Sequence, residues 1–195
     1  MNNYKIVFMG TPDFGIPSLN ELYKQGYEVE AVYTQPDRVN KRGNKVQFSA
    51  VKQFALEHDI TIYQPNSLKD EKELDVLRAL NPDLIIVIAY GKILPQAVLD
   101  IPKYGVINVH ASLLPKYRGA APVQRSIIDG EETTGVTIMQ LDAGMDTGNI
   151  IAEKSVFITP HMTSEDLFDV LSNVGAKLLI DVLDDLPAKL AASVK

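Results

Sequence analysis

Apolar positions along the chain fall into short unbroken runs that alternate with stretches of helical spacing, and this rhythm predicts most of the fold. Residues 4–10, YKIVFMG, form an apolar, β-rich run ended by glycine. In the following TPDFGIPSLNELYKQG, Leu19, Leu22 and Tyr23 recur at helical spacing up to Gly26, which predicts strand, turn and helix. YEVEAVYT alternates like a strand, residues 50–58 read as a helix, ITIYQP as a short strand and residues 70–80 as a helix. DLIIVIAY is apolar on both faces, as in the centre of a parallel sheet. A short helical piece over 95–99, a strand through Asn108 and His110, and a helix over 122–129 come next. TGVTIMQL and NIIAEKSVFI flank DAGMDTG, so the last two strands are expected to be antiparallel and joined by a turn. Thr163 and Asp166 have capping-box spacing ahead of Leu167, Val170, Leu171, Val174 and Leu178, predicting a long closing helix to about Leu183. The β-α-β-α-β order predicts an α/β, doubly wound, mostly parallel sheet with sites outside the carboxyl ends of its strands. After Leu186 the pattern dissolves into PAKLAASVK, which reads as the start of a linker or a frayed tail.

Composition narrows the class. At 195 residues, 46% hydrophobic and 23% charged, the chain has the make-up of one globular domain with a substantial core. The longest apolar run, residues 84–89, is too short to span a bilayer, so no membrane partner is expected. Without cysteine there is no disulfide framework and no thiolate nucleophile, and a cytoplasmic location is the default expectation. His58, His110 and His161 lack paired-ligand spacing, so no metal is expected. The net charge of −6 gives no long-range attraction to polyanions. RVNKRGNK, residues 38–45, nevertheless holds four cations and no acid. Such a run is a solvated surface segment or a local phosphate contact.

The candidate chemistry lies in VINVHASLLPKYRG, where Asn108 and His110 stand two residues apart on a strand and so share a face. Either one alone reads as an ordinary structural residue; together at a strand end they place a neutral donor beside a titratable ring. Asp146, in the Gly-bracketed DAGMDTG, can supply a carboxylate to hold that ring, and Asp142 fits a plain turn role equally well. Asn can donate to a developing oxyanion, and a charged histidine can stabilise it or exchange a proton. No serine sits in a G-x-S-x-G elbow, and the neighbours of Ser112 suggest a turn. GTPDFG departs from the dinucleotide fingerprint because Pro12 removes a backbone donor. The scheme these residues suit is direct attack of an amine on an activated acyl donor.

Asn108-x-His110 followed by SLLPKYRGAAPVQ and GVTIMQLDAGMDTG resembles the catalytic segment of the folate-dependent formyltransferase family. GTPDFG, TQPDR with its trailing RG, and VIAYGKILP are similar to the tRNA-acting branch of that family, over residues 4–186. The resemblance implies a Rossmann-like formyltransferase fold. It also implies transfer of a formyl group from 10-formyltetrahydrofolate to the α-amine of methionine on charged initiator tRNA, for translation initiation. Asn108 and His110 would bind the oxyanion, and Asp146 would hold His110 charged and help move the amine's proton. The folate would be gripped by Ala89, Tyr90, Gly91, Ile93 and Leu94 and by Leu141, Asp142, Ala143 and Gly144. Ser112, Leu113, Leu114 and Pro115 would be further folate contacts, and the stretch from Ser112 to Gly119 would line the site near the acceptor. Arg38, Lys41, Arg42 and Lys45 match the place where this branch reaches the acceptor stem.

The resemblance further implies that residues 1–186 are a catalytic domain and that 187–195 begin a linker to a tRNA-binding β-barrel domain that this chain lacks. A monomer is expected. Competing readings are a formyltransferase for an amino sugar nucleotide or glycinamide ribonucleotide, a 10-formyltetrahydrofolate hydrolase, and a non-catalytic folate-binding module.

Overall fold

The computed structural model describes residues 3–39 and 45–195. They divide into two compact units, Asn3–Val106 and Ile107–Lys195 apart from the chain start. In the first, β1 (Lys5–Gly10), β2 (Glu28–Tyr33), β5 (Thr61–Tyr63) and β6 (Leu84–Ile88) form a parallel sheet in the order β5-β2-β1-β6. Every residue of β6 is buried, which is why its sequence lacks polar alternation. Helices α1 (Ile16–Lys24), α2 (Ala50–Glu57), α3 (Glu71–Leu80) and α4 (Gln96–Leu99) connect the strands. The third of these has Glu71 and Glu73 in its first turn, Arg78 in its last, and Asn81 beyond it in the left-handed conformation at φ 47°; charge and cap agree with the helix dipole.

The chain leaves β1 for β2 and β5, then returns to pair β6 on the other side of β1. That reversal creates a switch point between the carboxyl ends of β1 and β6. Thr11 and Ala89, the first residues past these two strands, stand there.

In the second unit, β7 (Val106–His110) pairs antiparallel with β8 (Thr133–Gln140), which pairs antiparallel with β9 (Ile150–Phe157). Helix α5 (Pro122–Ile128) precedes β8. The closing helix α6 (Ser164–Asp184) has the expected reciprocal cap. Asp166 N–H donates to the Thr163 hydroxyl at 3.1 Å, and Thr163 N–H donates to the Asp166 carboxylate at 2.9 Å. Its Leu167, Leu171, Leu179, Val182 and Leu183 are buried, and the helix packs on β8 and β9. The sheet is thus mostly parallel with antiparallel C-terminal strands, as the sequence pattern predicts.

Two stretches depart from the reading. Arg38–Val39 (β3) and Val46–Gln47 (β4) pair antiparallel across the basic segment; strands of two exposed residues leave no periodic trace. The stretch after Leu186 is no frayed tail. Leu186–Ala191 form helix α7 on β9, and Val194 N–H donates to Ile150 O at 3.0 Å. Pro187 occupies the first turn of α7, where a missing N–H costs nothing.

Candidate active site

Strand β7 places Asn108 opposite Met139 and His110 opposite Thr137. The two residues are 9% and 7% exposed. The His110 ring is held on both sides. Nε2 lies 2.9 Å from the Tyr117 carbonyl oxygen, which assigns Nε2 as a protonated donor. Nδ1 lies 3.7 Å from Asp146 Oδ2, an ion-pair distance longer than a hydrogen bond. The same carboxylate oxygen accepts from Gly119 N–H at 2.7 Å, so one backbone donor fixes the acid beside the ring. Asn108, though buried, makes no side-chain hydrogen bond among the described residues. A nearly buried carboxamide with unspent donors stands on the same strand face as a ring clamped between two acceptors.

The connection between β8 and β9 sorts the two acids of DAGMDTG. Asp142 Oδ1 accepts from the Thr147 hydroxyl at 2.7 Å and from Gly144 N–H at 2.9 Å. The Thr147 hydroxyl, then the Gly144 amide and the Lys195 charge, hold the Asp142 carboxyl below its ordinary value against the opposing effect of burial. Asp142 is the turn-forming acid, and Asp146 is the one at His110. A Cβ on Gly148 would lie 1.8 Å from the Gln140 carbonyl oxygen, so only glycine lets the chain re-enter β9 there.

Ser112 is fully buried and donates to Lys116 O at 2.6 Å, closing the turn in which Leu114 is buried, Leu113 half-buried and Pro115 exposed. Sequence reading missed Thr137, the residue that seats this turn. Its hydroxyl donates to Ser112 O at 2.7 Å and accepts from Leu114 N–H at 3.1 Å. Tyr117 falls in the stretch expected at the site, but the role of its carbonyl in orienting His110 was missed, because a backbone acceptor leaves no side-chain signature. Ala89, Tyr117 and Asp146 all hold left-handed backbone, at φ 51°, 56° and 52°. Such conformations cost an L-residue roughly 1–2 kcal/mol each and persist where surrounding bonds enforce them.

In the first unit, the segment past β6 is fastened from three sides. Tyr90 O accepts from the Thr11 hydroxyl at 3.0 Å and from Gln35 Nε2 at 3.1 Å, and Gly91 O accepts from the same Gln35 nitrogen at 3.0 Å. Lys92 Nζ donates to the carbonyls of Pro65 and Asn66, and burial draws its pKa down. With the Tyr90 and Gly91 carbonyls pinned inward, peptide planarity points the N–H groups of Gly91 and Lys92 the opposite way. The Tyr90 ring and Leu94 are buried, and Ile93 is 86% exposed. Leu94 therefore supports the segment from within, while Ile93 presents an apolar surface to solvent. In the other unit, Leu141 is half-buried and Ala143 and Gly144 are exposed.

Of the basic residues, Arg38 is exposed in β3 and Lys45 is exposed just before β4; Lys41 and Arg42 lie outside the described residues. Among the described residues no helix is long and apolar enough to cross a membrane.

A parallel sheet with a switch point in one unit, and antiparallel strands bearing an Asn-x-His pair beside an acid in the other, are the features on which the class of protein is judged. The formyl transferase family matches residues 4–183, and the chain belongs to that family. Its curated relatives narrow this further. A methionyl-tRNA formyltransferase of Caldanaerobacter subterraneus subsp. tengcongensis is 51% identical over 183 residues, 93% of this chain and 59% of the relative. Another, from Clostridium perfringens, is 56% identical over 177 residues, 90% of this chain and 57% of the relative. The chain thus spans under two thirds of the length of these relatives. Among solved structures, the phosphoribosylglycinamide formyltransferase of Streptococcus pneumoniae superposes with a TM-score of 0.75 at 20% identity, covering 94% of this chain and 98% of that one. A formyltetrahydrofolate deformylase of Pseudomonas syringae superposes at 0.73 with 21% identity, covering 94% and 62%; both likenesses concern the fold.

Proposed function

We propose that the chain carries the catalytic machinery that transfers a formyl group from 10-formyltetrahydrofolate to the α-amine of methionine on charged initiator tRNA. The observation that carries this is the unspent Asn108 carboxamide beside a His110 ring fixed between the Tyr117 carbonyl and the Asp146 carboxylate. The donor's planar, amide-bearing ring suits segments that offer backbone groups and apolar surface. Residues 89–94 offer the outward N–H groups of Gly91 and Lys92 beside exposed Ile93, and residues 141–144 are assigned to the same task.

In the reaction, the amine nitrogen attacks the formyl carbon, and a C–N bond forms while the carbonyl oxygen gains negative charge. Asn108 donates to that oxygen, and the charge of His110 stabilises it; aimed donors of this kind are worth about 3 kcal/mol or more of barrier. Asp146 keeps a counter-charge at Nδ1 and helps carry the amine's proton. The bond from carbon to the donor's N10 then breaks, N10 takes up a proton, and formyl-methionine remains on the tRNA. Arg38, Lys41, Arg42 and Lys45 are the proposed contacts to the acceptor stem, within a longer protein whose linker would follow the packed helix α7. The identity of the relatives favours this acceptor over a sugar nucleotide or glycinamide ribonucleotide.

The test follows labelled formyl from 10-formyltetrahydrofolate with methionyl initiator tRNA and in a tRNA-free control. Label on methionine is expected. Formate released equally in both would replace the transferase with a hydrolase.

A further inference from the structure

We infer that Gln35 is a positioning residue for the donor-gripping segment. Its carboxamide fastens the Tyr90 and Gly91 carbonyls to the base of the basic segment that begins at Arg38. The inference rests on the reading of residues 89–94 as a folate contact. Its grounds are geometric. One nitrogen, Gln35 Nε2, donates to Tyr90 O at 3.1 Å and Gly91 O at 3.0 Å. An amide nitrogen carries two hydrogens and can serve both acceptors at once.

The Gln35 backbone is itself anchored. Gln35 N–H donates to the Thr11 hydroxyl at 3.3 Å, and that hydroxyl donates to the same Tyr90 carbonyl at 3.0 Å. Gln35 O accepts from Gln64 Nε2 at 3.0 Å, and Gln64 Nε2 also donates to Asp37 Oδ1 at 2.8 Å. Asp37 in turn takes the Lys52 amine at 2.6 Å; hydrogen bonds from Lys52 and Gln64 hold its carboxyl below the ordinary value. A continuous network therefore runs from the donor segment through Gln35 and Gln64 to Asp37, next to Arg38.

The segment it secures depends on being held. Ala89 sits at φ 51° and Gly91 at φ 81°. Three side-chain hydrogen bonds, one from Thr11 and two from Gln35, hold the two carbonyls whose direction determines where the Gly91 and Lys92 N–H groups point. The residue type is matched to the task. Glutamate would set an anion against two carbonyl oxygens, and asparagine would fall a methylene short. Loss of the clamp leaves the catalytic residues Asn108, His110 and Asp146 untouched and frees only the direction of the donor contacts.

The experiment measures binding of 5-formyltetrahydrofolate by calorimetry, transfer kinetics and melting temperature for the whole chain, for Gln35→Ala, and for Thr11→Val, which deletes one of the three donors at nearly constant volume. Gln96→Ala is the control, since among the described residues its side chain bonds only Asp100, on the surface. Expected are about tenfold weaker folate binding and a tenfold higher donor KM for Gln35→Ala, with kcat within twofold. Thr11→Val should shift binding about threefold, and Gln96→Ala should shift nothing. Wild-type binding matched by both Gln35→Ala and Thr11→Val overturns the inference and leaves the folate reading standing. A wild-type chain that binds no folate overturns the reading itself. If Gln35→Ala loses its fold, Thr11→Val decides alone. A loss of kcat with unchanged donor KM in either folded variant also overturns the inference, because a clamp on the donor segment acts on donor affinity.

Discussion

Replacing Asp146 by asparagine isolates what the carboxylate contributes as a charge. Asp146 Oδ2 has two neighbours, Gly119 N–H at 2.7 Å and His110 Nδ1 at 3.7 Å. An asparagine oxygen can keep the first, so the local backbone should hold, while the second loses its electrostatic partner. Unit charges at 3.7 Å interact by roughly 4 kcal/mol at an effective dielectric near 20. The Asp146 side chain retains 13% exposure and His110 8%, so water recovers part of that figure. A loss of about 2–4 kcal/mol of transition-state stabilisation is a rate loss of about 30- to 900-fold. The assay is single-turnover transfer of labelled formyl at saturating donor and methionyl-tRNA, with melting followed by circular dichroism. A folded Asp146→Asn protein that retained more than a third of the wild-type single-turnover rate would refute the assignment of Asp146 as the counter-charge of His110.

Three further outcomes follow from the geometry. Gly148→Ala should destabilise the second unit by at least about 2–3 kcal/mol, because the added Cβ would meet the Gln140 carbonyl oxygen at 1.8 Å and backbone cannot yield as a side chain can; urea unfolding unchanged from wild type would contradict the turn described. For Thr147→Val the sign follows from the depressed Asp142 pKa: the carboxylate stabilises the fold above its unfolded pKa, and that stability is lost as pH falls through the folded value. The variant should therefore be less stable than wild type at pH 7, with a gap that narrows below about pH 4; a gap of constant size across pH would remove Asp142 as its source. Arg38→Ala should weaken tRNA binding and reduce the slope of log K against log salt by about one, and an unchanged slope would take Arg38 out of the phosphate contacts.

The sheet was legible because burial wrote itself into runs such as LIIVI, and α6 because its cap and its apolar stripe agree. The Asn-x-His pair was legible because strand periodicity alone puts both on one face. What could not be read were groups that act through backbone: the Tyr117 carbonyl on His110, the Gly119 amide on Asp146, and the Tyr90 and Gly91 carbonyls that take Gln35. GTPDFG and TQPDR stood out as motifs whose purpose was open. Thr11 and Gln35 give them one, since the second residue of each motif donates to the segment past β6. Asp142 and Asp146 could not be ranked from spacing, because either can form the turn; the Thr147 hydroxyl settles Asp142 into it.

Strand β1 finds one neighbour in β2, about two dozen residues along, while its other partner, β6, waits much further down the chain. Lys5 N–H reaches Asp83 across 78 positions, and the Thr11 hydroxyl reaches Tyr90 across 79. Contacts of such sequence separation form late and slowly, since chain entropy must be surrendered before they return anything. During synthesis, the apolar strand at the centre of the first sheet stays open on one side until β6 has emerged. Closure of that gap seats Thr11 against Tyr90 in the same event. Under the proposed function, recovery of folate binding during refolding should therefore keep time with completion of the sheet, making the ligand a clock for that topological step of the first unit.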